Sequence, residues 1–469
     1  MKLTVWGAAK QVTGSMHMLQ VGNKTLLVDC GLDYEKKSDG LDHNANFPFN
    51  PGEIDAMILT HAHIDHSGNI PNLIKQGFDG PIFMTHPTAI LSEFLLQDSL
   101  NIQRMEASKQ KRKSRNRRRT KKFVQDGELL YGKKHIKRML GQMVILPFKK
   151  EVQILPGFAL SFYDAGHILG SASARLRVEH KNMEHVIGFT GDLGNYGAPQ
   201  MNPPQPMPGL DYLISESTYG GRLHQQTGMA AEELEEKIKY TCIEKGGKLV
   251  IPAFSVGRTQ SIIYTIHQLY RQGRLPEKIK IYTDSPLAIR STDAYENNMH
   301  FLNEEAQGFA NEYGSLFDFP QLEVIEDNQE SEMLSMLPDP CVIISAAGMV
   351  EGGRIQTHVR NNIESTKNSI LIAGYCAVGT LGHRLLQGQD FIEINRKKRP
   401  ARADVYRTDA FSAHPDHNGL LKYFKESNNG KLKGIFLVHG EEHKMDALIE
   451  GSDFKHIHKP NKGQAIELL

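Results

Sequence analysis

Short apolar runs separated by turn-forming residues dominate the N-terminal part of the chain. Lys2–Gly7, Lys24–Asp29, Ala56–Thr60, Pro81–Thr85, Phe158–Tyr163, Ala174–Glu179 and His185–Thr190 each read as a β-strand, punctuated by Gly, Pro, Asn and Asp. One longer stretch, from Thr88 to about Lys113, carries a helical pattern. From Tyr212–Ser215 onward strands alternate with helices. The predicted order is helix Met229–Lys245, stopped by Gly246-Gly247, strand Lys248–Ala253, helix Gly257–Gln272 and strand Lys278–Asp284. A helical stretch from Leu287 follows, then strand Cys341–Ala346, helix Gly353–Ser365 and strand Ser369–Gly374. Such alternation predicts a parallel sheet covered on both faces. From about Asp390 short strands return, with helices over Asp416–Lys425 and Glu442–Glu450. Five prolines between Pro199 and Pro208 mark a linker or wrapped surface loop, and hence a boundary.

The composition narrows the class without naming it. A chain of 469 residues implies about two to four domains. Apolar residues at 39% and charged residues at 23% exclude a wholly disordered chain. No stretch approaches the roughly 20 apolar residues of a membrane span, so no membrane association is expected. MKLTVWGAAKQ reads as a first strand rather than a signal peptide. Cys30, Cys242, Cys341 and Cys376 form no CxxC, which argues against a disulfide framework or a thiolate zinc site and for a reducing cytoplasm. Net charge is +1, but its distribution is uneven. Residues 109–122 hold ten Lys or Arg, Lys111, Arg112, Arg117, Arg118 and Arg119 among them, and the rest of the chain is net −9. The run reads either as a solvated surface segment or as a contact to phosphate backbones. It contains no aromatic residue, so base reading is not implied.

The sharpest motif is Thr60-His61-Ala62-His63-Ile64-Asp65-His66, directly after the apolar run AMILT. Four metal-ligand candidates fall within six residues, and their imidazole and carboxylate chemistry suits Zn²⁺ and related metals. His61 and His63, two apart, can point the same way. Asp29 in LLVDCG, His167 in DAGHILGSAS and Asp192 in FTGDLG each stand at or just past the end of an apolar strand, beside glycine. Taken singly each reads as a turn or cap residue; together with the histidine motif they read as the rest of a metal centre. His17, His43, His86, His224, His267 and His300 have no supporting motif and read as ordinary surface or core residues.

These four blocks resemble the successive motifs of the metallo-β-lactamase superfamily. Further blocks sharpen the resemblance to the β-CASP nucleases: Ser215-Glu216-Ser217-Thr218-Tyr219-Gly220, Phe411-Ser412-Ala413-His414 and Leu437-Val438-His439-Gly440-Glu441 are similar to motifs A, B and C. PAFSVGRTQ, SAAGMVEGGR and YCAVGTLGHRLL lie between A and B. Within that family the blocks resemble those of the bacterial and archaeal relatives of the pre-mRNA 3′-end-processing endonuclease. The resemblance implies an α/β fold: an αββα lactamase sandwich, residues 1–209 and 391–469, with an inserted Rossmann-like β-CASP domain at 210–390. It implies two zinc ions per chain, with Mn²⁺ as a substitute. His61, His63 and His167 would bind one, Asp65 and His66 the other, with Asp192 between them and His439 near both. Asp29 would orient the ligand loop.

The same resemblance implies a zinc-dependent ribonuclease, cleaving internally by a two-metal mechanism, with exonuclease activity as an alternative, and leaving 5′-phosphate and 3′-hydroxyl ends. Asp65, His414 and Glu216 would carry the reaction, with His414 protonating the leaving oxygen and Glu216 fixing its tautomer. His439 favours RNA over DNA, and the expected substrate is single-stranded RNA. Ser345, Gly348 and Arg354 in the glycine-rich block, and Ser255 and Arg258 in FSVGR, are candidate substrate contacts, although tight turn packing explains them equally. A homodimer rests on family analogy alone. Two other functions compete: a lactamase-fold hydrolase of a small ester or thioester, and a non-catalytic RNA-processing subunit. The large insertion and His414 argue against the first, and the complete ligand set against the second.

Overall fold

Two seven-stranded sheets stack face to face, and the apolar sides of their strands meet between them. The computed structural model describes residues 1–34, 44–116, 129–224 and 229–468, the side chains of 109–116 excepted. The first sheet runs, in spatial order, Ala465–Glu467, Lys2–Gly7, Met16–Val21, Lys24–Val28, Ala56–Ile58, Ile82–Met84 and Met143–Ile145. The second runs Ile457–His458, Gly434–Val438, Tyr212–Glu216, Met183–Phe189, Ala172–His180, Phe158–Asp164 and Val152–Leu155. Leu3, Leu19, Leu26, Val28 and Ile58 of the first sheet bury against Leu160, Phe162, Leu176, Ile187 and Ile214 of the second. Alternation along each strand supplies this inner face and leaves every second residue to the outer one. Helices Ile70–Lys75, His86–Asn116 and Lys133–Gln142 cover the outer face of the first sheet through Leu73, Leu96 and Met139. Helices His417–Ser427 and Glu442–Gly451 cover the second through Leu420, Phe424 and Leu448. The molecule therefore has the αββα layering expected from the sequence.

A six-stranded, all-parallel sheet forms a second body, in the order Leu322–Val324, Lys280–Asp284, Cys341–Ser345, Leu249–Pro252, Ser369–Ala373 and Asp404–Thr408. Its strands are apolar on both faces (Leu249, Val250, Ile251 and Val342, Ile343, Ile344 are all fully buried), as a doubly covered parallel sheet requires. Helices Ala230–Ile238, Arg258–Arg271 and Pro286–Glu296 pack on one side, and Ile355–Asn362 and Leu381–Leu386 on the other.

The chain crosses between the bodies later than the sequence suggests. Strand Tyr212–Glu216 is not the start of the insertion. It lies between Met183–Phe189 and Gly434–Val438, parallel to both, in the second sandwich sheet. At the other end, Asp404–Thr408 pairs with Ser369–Ala373, so the boundary expected at 390 falls inside the second body. The proline-rich stretch is no linker. Met201 packs into the core of the insertion and Met207 into the sandwich, both at most 5% exposed. An apolar five-residue run announces a buried strand but not which sheet buries it, so a local pattern places such boundaries poorly.

Candidate metal centre and catalytic cleft

The ligand candidates converge at one edge of the sandwich, each at the end of a strand. Ala56–Ile58 ends just before Leu59 and Thr60, and the histidine motif follows as an extended turn into the short helix Ile64–Ser67. Ala62 is fully buried between His61 and His63, so the two rings project to the same side. Asp65 and His66 fall in the first turn of that helix. Strand Phe158–Asp164 delivers His167, and Met183–Phe189 delivers Asp192. The loop holding His167 is gripped by the insertion: Leu169 N–H donates to Tyr295 Oη at 3.0 Å, and Ile168 and Leu169 lie in the insertion's own core. Asp29 and His439, which end strands Lys24–Val28 and Gly434–Val438, have left-handed backbones, with φ of 59° and 50°. That conformation is uncommon for residues other than glycine and clusters at functional sites.

The donor atoms fall into two sets that share Asp192. His61 Nε2 lies 3.2 Å from His63 Nδ1, and His167 Nε2 lies 3.1 Å from the same nitrogen. Asp192 Oδ2 lies 3.5 Å from His61 Nε2 and 3.6 Å from His167 Nε2. The other oxygen, Oδ1, lies 3.2 Å from His66 Nε2 and 3.5 Å from His439 Nδ1, and His439 Nε2 is 3.5 Å from Asp65 Oδ2. Bonds of about 2.0–2.1 Å to one tetrahedral ion would set neighbouring donors about 3.3 Å apart. The observed spacings match that figure. His66 Nε2 and Asp192 Oδ1 are also buried without a hydrogen-bond partner among the described residues, a costly arrangement unless a cation completes it. The residues present therefore fit a pair of divalent metals.

Electrostatics prepares the two sets differently. Burial, reinforced by the neighbouring imidazoles, pushes His61 and His167 well below the ordinary histidine range. Burial likewise lowers His63 to about 4. All three thus present the neutral ring that metal ligation needs. Burial acts against protonation of His66 too, but Asp192 and Asp29 outweigh it and raise its pKa well above the usual value. A cation held by His66 would take the place of that proton. Asp29 carries the other side of the ring: its Oδ2 accepts from His66 Nδ1 at 2.7 Å and from Thr60 Oγ1 at 2.9 Å, while Oδ1 accepts from Thr60 N–H at 2.9 Å. Burial opposes ionisation of Asp65, but His439 and His66 lower its pKa to about 2.

Beside the cluster stands a second unit. His414 Nδ1 donates to Glu216, 2.9 Å from Oε1 and 3.1 Å from Oε2. Glu216 is fully buried and also accepts from Leu193 N–H at 2.6 Å and Thr218 N–H at 3.3 Å. Burial disfavours the charged ring of His414, yet Glu216 reverses this and raises its pKa. The His414 ring is 4.6 Å from that of His167, whose Nδ1 donates to the Ala413 carbonyl at 3.2 Å. Side-chain exposure is 17% for His414 and 25% for Asp65, against at most 5% for His61, His66, His167, Asp192 and His439. The cluster is thus open on the Asp65–His414 side.

Two residues without a motif role belong to this site. His224, read from sequence as ordinary, is buried and donates from Nε2 to the His414 carbonyl at 2.9 Å. Thr218 Oγ1 is 3.1 Å from His439 Nδ1. The signal for Thr218 is its place inside the Glu216 block; His224 has none.

The candidate substrate contacts divide. Arg354 spends its guanidinium inside the fold, on Asp284 Oδ1 (2.6 Å), the Ile325 and Glu326 carbonyls and Asn328 Oδ1. The Ser345 hydroxyl donates to the Asp284 carbonyl, and a Cβ at Gly348 would sit 2.9 Å from the Phe254 ring. For Arg354 the expectation of phosphate contact gives way to turn packing, because Asp284, buried at the end of its strand, needs donors; the Ser345 hydroxyl is engaged within the same turn, and Gly348 stays a candidate through its backbone N–H. Ser255 is half-buried, 3.3 Å from the Ser285 hydroxyl, and Arg258 donates from Nε to the Phe411 carbonyl at 3.3 Å. Lys111, Arg112, Arg117, Arg118 and Arg119, and also His43, lie outside the described residues or side chains.

Comparison with known proteins agrees with this geometry. Residues 10–129 match the metallo-beta-lactamase superfamily, 259–385 the Beta-Casp domain, and 398–458 the Zn-dependent metallo-hydrolase RNA specificity domain. The chain is 32% identical over 448 residues to Ribonuclease TTHA0252 of Thermus thermophilus, covering 96% of this chain and 95% of that one. The chain belongs to the β-CASP ribonucleases of the metallo-β-lactamase superfamily. The chain is also 31% identical to the RNase J-like protein of Methanocaldococcus jannaschii, over 93% of this chain and 92% of that one. Integrator complex subunit 11 of Danio rerio is 27% identical over 95% of this chain and 70% of its own. A solved structure of a protein of unknown function from Enterococcus faecalis V583 superposes with TM-score 0.53 at 12% identity, covering 100% of this chain and 99% of that one, a likeness of fold. As a β-CASP ribonuclease the chain is a metal-dependent hydrolase acting on RNA. Among the described residues no helix is long and apolar enough to cross a membrane, and all four cysteines are buried and free.

Proposed function

We propose that this β-CASP ribonuclease is a zinc enzyme that cleaves single-stranded RNA internally by a two-metal mechanism, leaving 5′-phosphate and 3′-hydroxyl ends. The observation that carries the reading is the division of Asp192: one carboxylate oxygen faces His61 and His167, the other His66 and His439. His61, His63, His167 and Asp192 would hold one metal, and Asp65, His66 and His439, with Asp192, the other. When bound, such metals supply Lewis acidity toward the phosphate and make water a nucleophile near neutral pH. Mn²⁺ would substitute in the same mixed nitrogen and oxygen site.

The chain's own residues supply the rest. Asp29 orients His66 and, by holding the ring proton on Nδ1, leaves Nε2 as the free lone pair. His414 has its Nδ1 engaged by Glu216, so Nε2 is the atom available to give a proton to the leaving oxygen. Glu216, itself fixed by two backbone N–H groups, sets that tautomer and favours the charged ring. Asp65 lies on the open side of the cluster and would face the incoming strand. We place the activity in the cytoplasm, where four free thiols are stable, and a homodimer is the proposed assembly.

The test is elemental analysis of protein purified without chelator, together with cleavage of an end-labelled RNA oligonucleotide. Two equivalents of zinc, internal cuts and 5′-phosphorylated products are expected. One metal or none after reconstitution, or products bearing 3′-phosphate, would refute the two-metal reading.

A further inference from the structure

Arg258 opens the helix Arg258–Arg271 and is only 8% exposed, yet no carboxylate pairs with it among the described residues. Its Nε–H donates to the Phe411 carbonyl at 3.3 Å. The face of Phe254 lies 4.8 Å from the guanidinium carbon, and a Cβ at Gly374 would come within 2.9 Å of the same group. The two Nη groups make no hydrogen bond among the described residues. Nearby arginines behave otherwise: Arg222 and Arg407 both engage Asp409, and Arg354 engages Asp284. Burial pushes the Arg258 pKa down, against the opposing pull of Tyr219, Cys376 and Asp409. A guanidinium this enclosed, held by one carbonyl and one ring face and by no carboxylate among the described residues, leaves its two Nη groups for an anion.

Its position says which anion. Arg258 belongs to the insertion, but its one hydrogen bond reaches Phe411, three residues before His414. Tyr219, which also neighbours Arg258, has its ring 6.1 Å from that of His414. The site thus lies on the wall between the two bodies, next to the proposed proton donor. The N-terminus of a 14-residue helix adds its positive dipole end at the same place. A planar guanidinium with two free Nη groups suits two oxygens of a phosphodiester.

We propose that Arg258 binds a non-scissile backbone phosphate of the RNA, flanking the bond cut beside His414. This rests on the RNA-cleaving reading above and adds the residue that sets the register of the strand. Its test is a set of RNA oligonucleotides with one cleavage site, each carrying a single neutral methylphosphonate at a different flanking position. kcat/KM is measured for the metal-loaded wild type and for Arg258→Met, with metal content and melting temperature as controls. Arg258→Met should lower kcat/KM on unmodified RNA about tenfold or more, the loss of one hydrogen-bonded charge pair. At one flanking position the methylphosphonate should cost the wild type a similar factor and the variant nothing further. The slope of log kcat/KM against log salt, under subsaturating RNA, should fall by about 0.7. Losses that multiply at every position, or an unchanged salt slope in a folded and metal-replete variant, would overturn the assignment. If Arg258→Met does not fold, Arg258→Lys runs the same cycle, and its smaller loss must vanish at one neutralised phosphate. A wild type that cuts no RNA would instead overturn the underlying reading.

Discussion

Replacing Asp29 by Asn removes one charge at nearly constant shape, which isolates what the buried carboxylate does for its neighbours. The carboxylate accepts three hydrogen bonds, two on Oδ2 from His66 Nδ1 and Thr60 Oγ1, and one on Oδ1 from Thr60 N–H. An amide cannot accept all three. With its oxygen in place of Oδ2, its NH₂ meets the Thr60 N–H, donor against donor. Turned over, it presents NH₂ to His66, which must then move its proton to Nε2, the atom that faces Asp192. Either way a charge-assisted bond is lost, worth about 1.5–3 kcal/mol. That corresponds to roughly 10–150-fold in an equilibrium constant, in line with the 10–100-fold typical of partners that orient metal ligands. Asp29→Asn should therefore weaken the proposed metal site at His66 by about 10–100-fold and leave the proposed His61–His63–His167 site nearly intact. Competition with a chromophoric chelator should show one affinity class shifted and one unchanged, and RNA cleavage should recover at raised zinc. Two unchanged affinities would refute the argument that Asp29 acts through His66, and two equal losses would show a general loosening of the loop.

Three other outcomes follow from the same structure. His414→Ala should keep both metals and the melting temperature but lose roughly 10²–10⁴-fold in cleavage rate, and much less on bis(p-nitrophenyl) phosphate, whose leaving group needs no proton; equal losses on both substrates would count against a proton donor. The metal-free protein should lose stability as pH falls from about 6.5 toward 4, since unfolded histidines take up protons near 6.5 whereas burial holds His63 at about 4 and His17 at about 3; thermal melts of chelator-treated protein across that window check the sign. Neutralising five or six Lys or Arg of residues 109–122 should weaken RNA binding and lower the salt slope by about 0.7 for each phosphate no longer neutralised, with turnover at saturating RNA unchanged, as titrations at several salt concentrations would show.

The sequence alone determined the family and displayed the donor set. Metal ligation needs particular donor types at strand ends, and HxHxDH with Asp29, His167, Asp192 and His439 displays them in short blocks. The helix–strand period likewise announced the parallel sheet, because 3.6 and 2.0 are local properties of the backbone. Tertiary structure decided what depends on partners far away in the chain. Tyr212–Glu216 reads the same in either sheet, and only pairing with Gly434–Val438 assigns it to the sandwich. Arg354 and Arg258 sit in equally suggestive blocks, yet Asp284 engages the first, whereas the second meets a carbonyl and, among the described residues, no carboxylate. His224 gains its meaning from the carbonyl of a residue 190 positions away. Side-chain periodicity fixes which face of an element is buried, whereas the identity of the burying neighbour is a long-range property that no local pattern encodes.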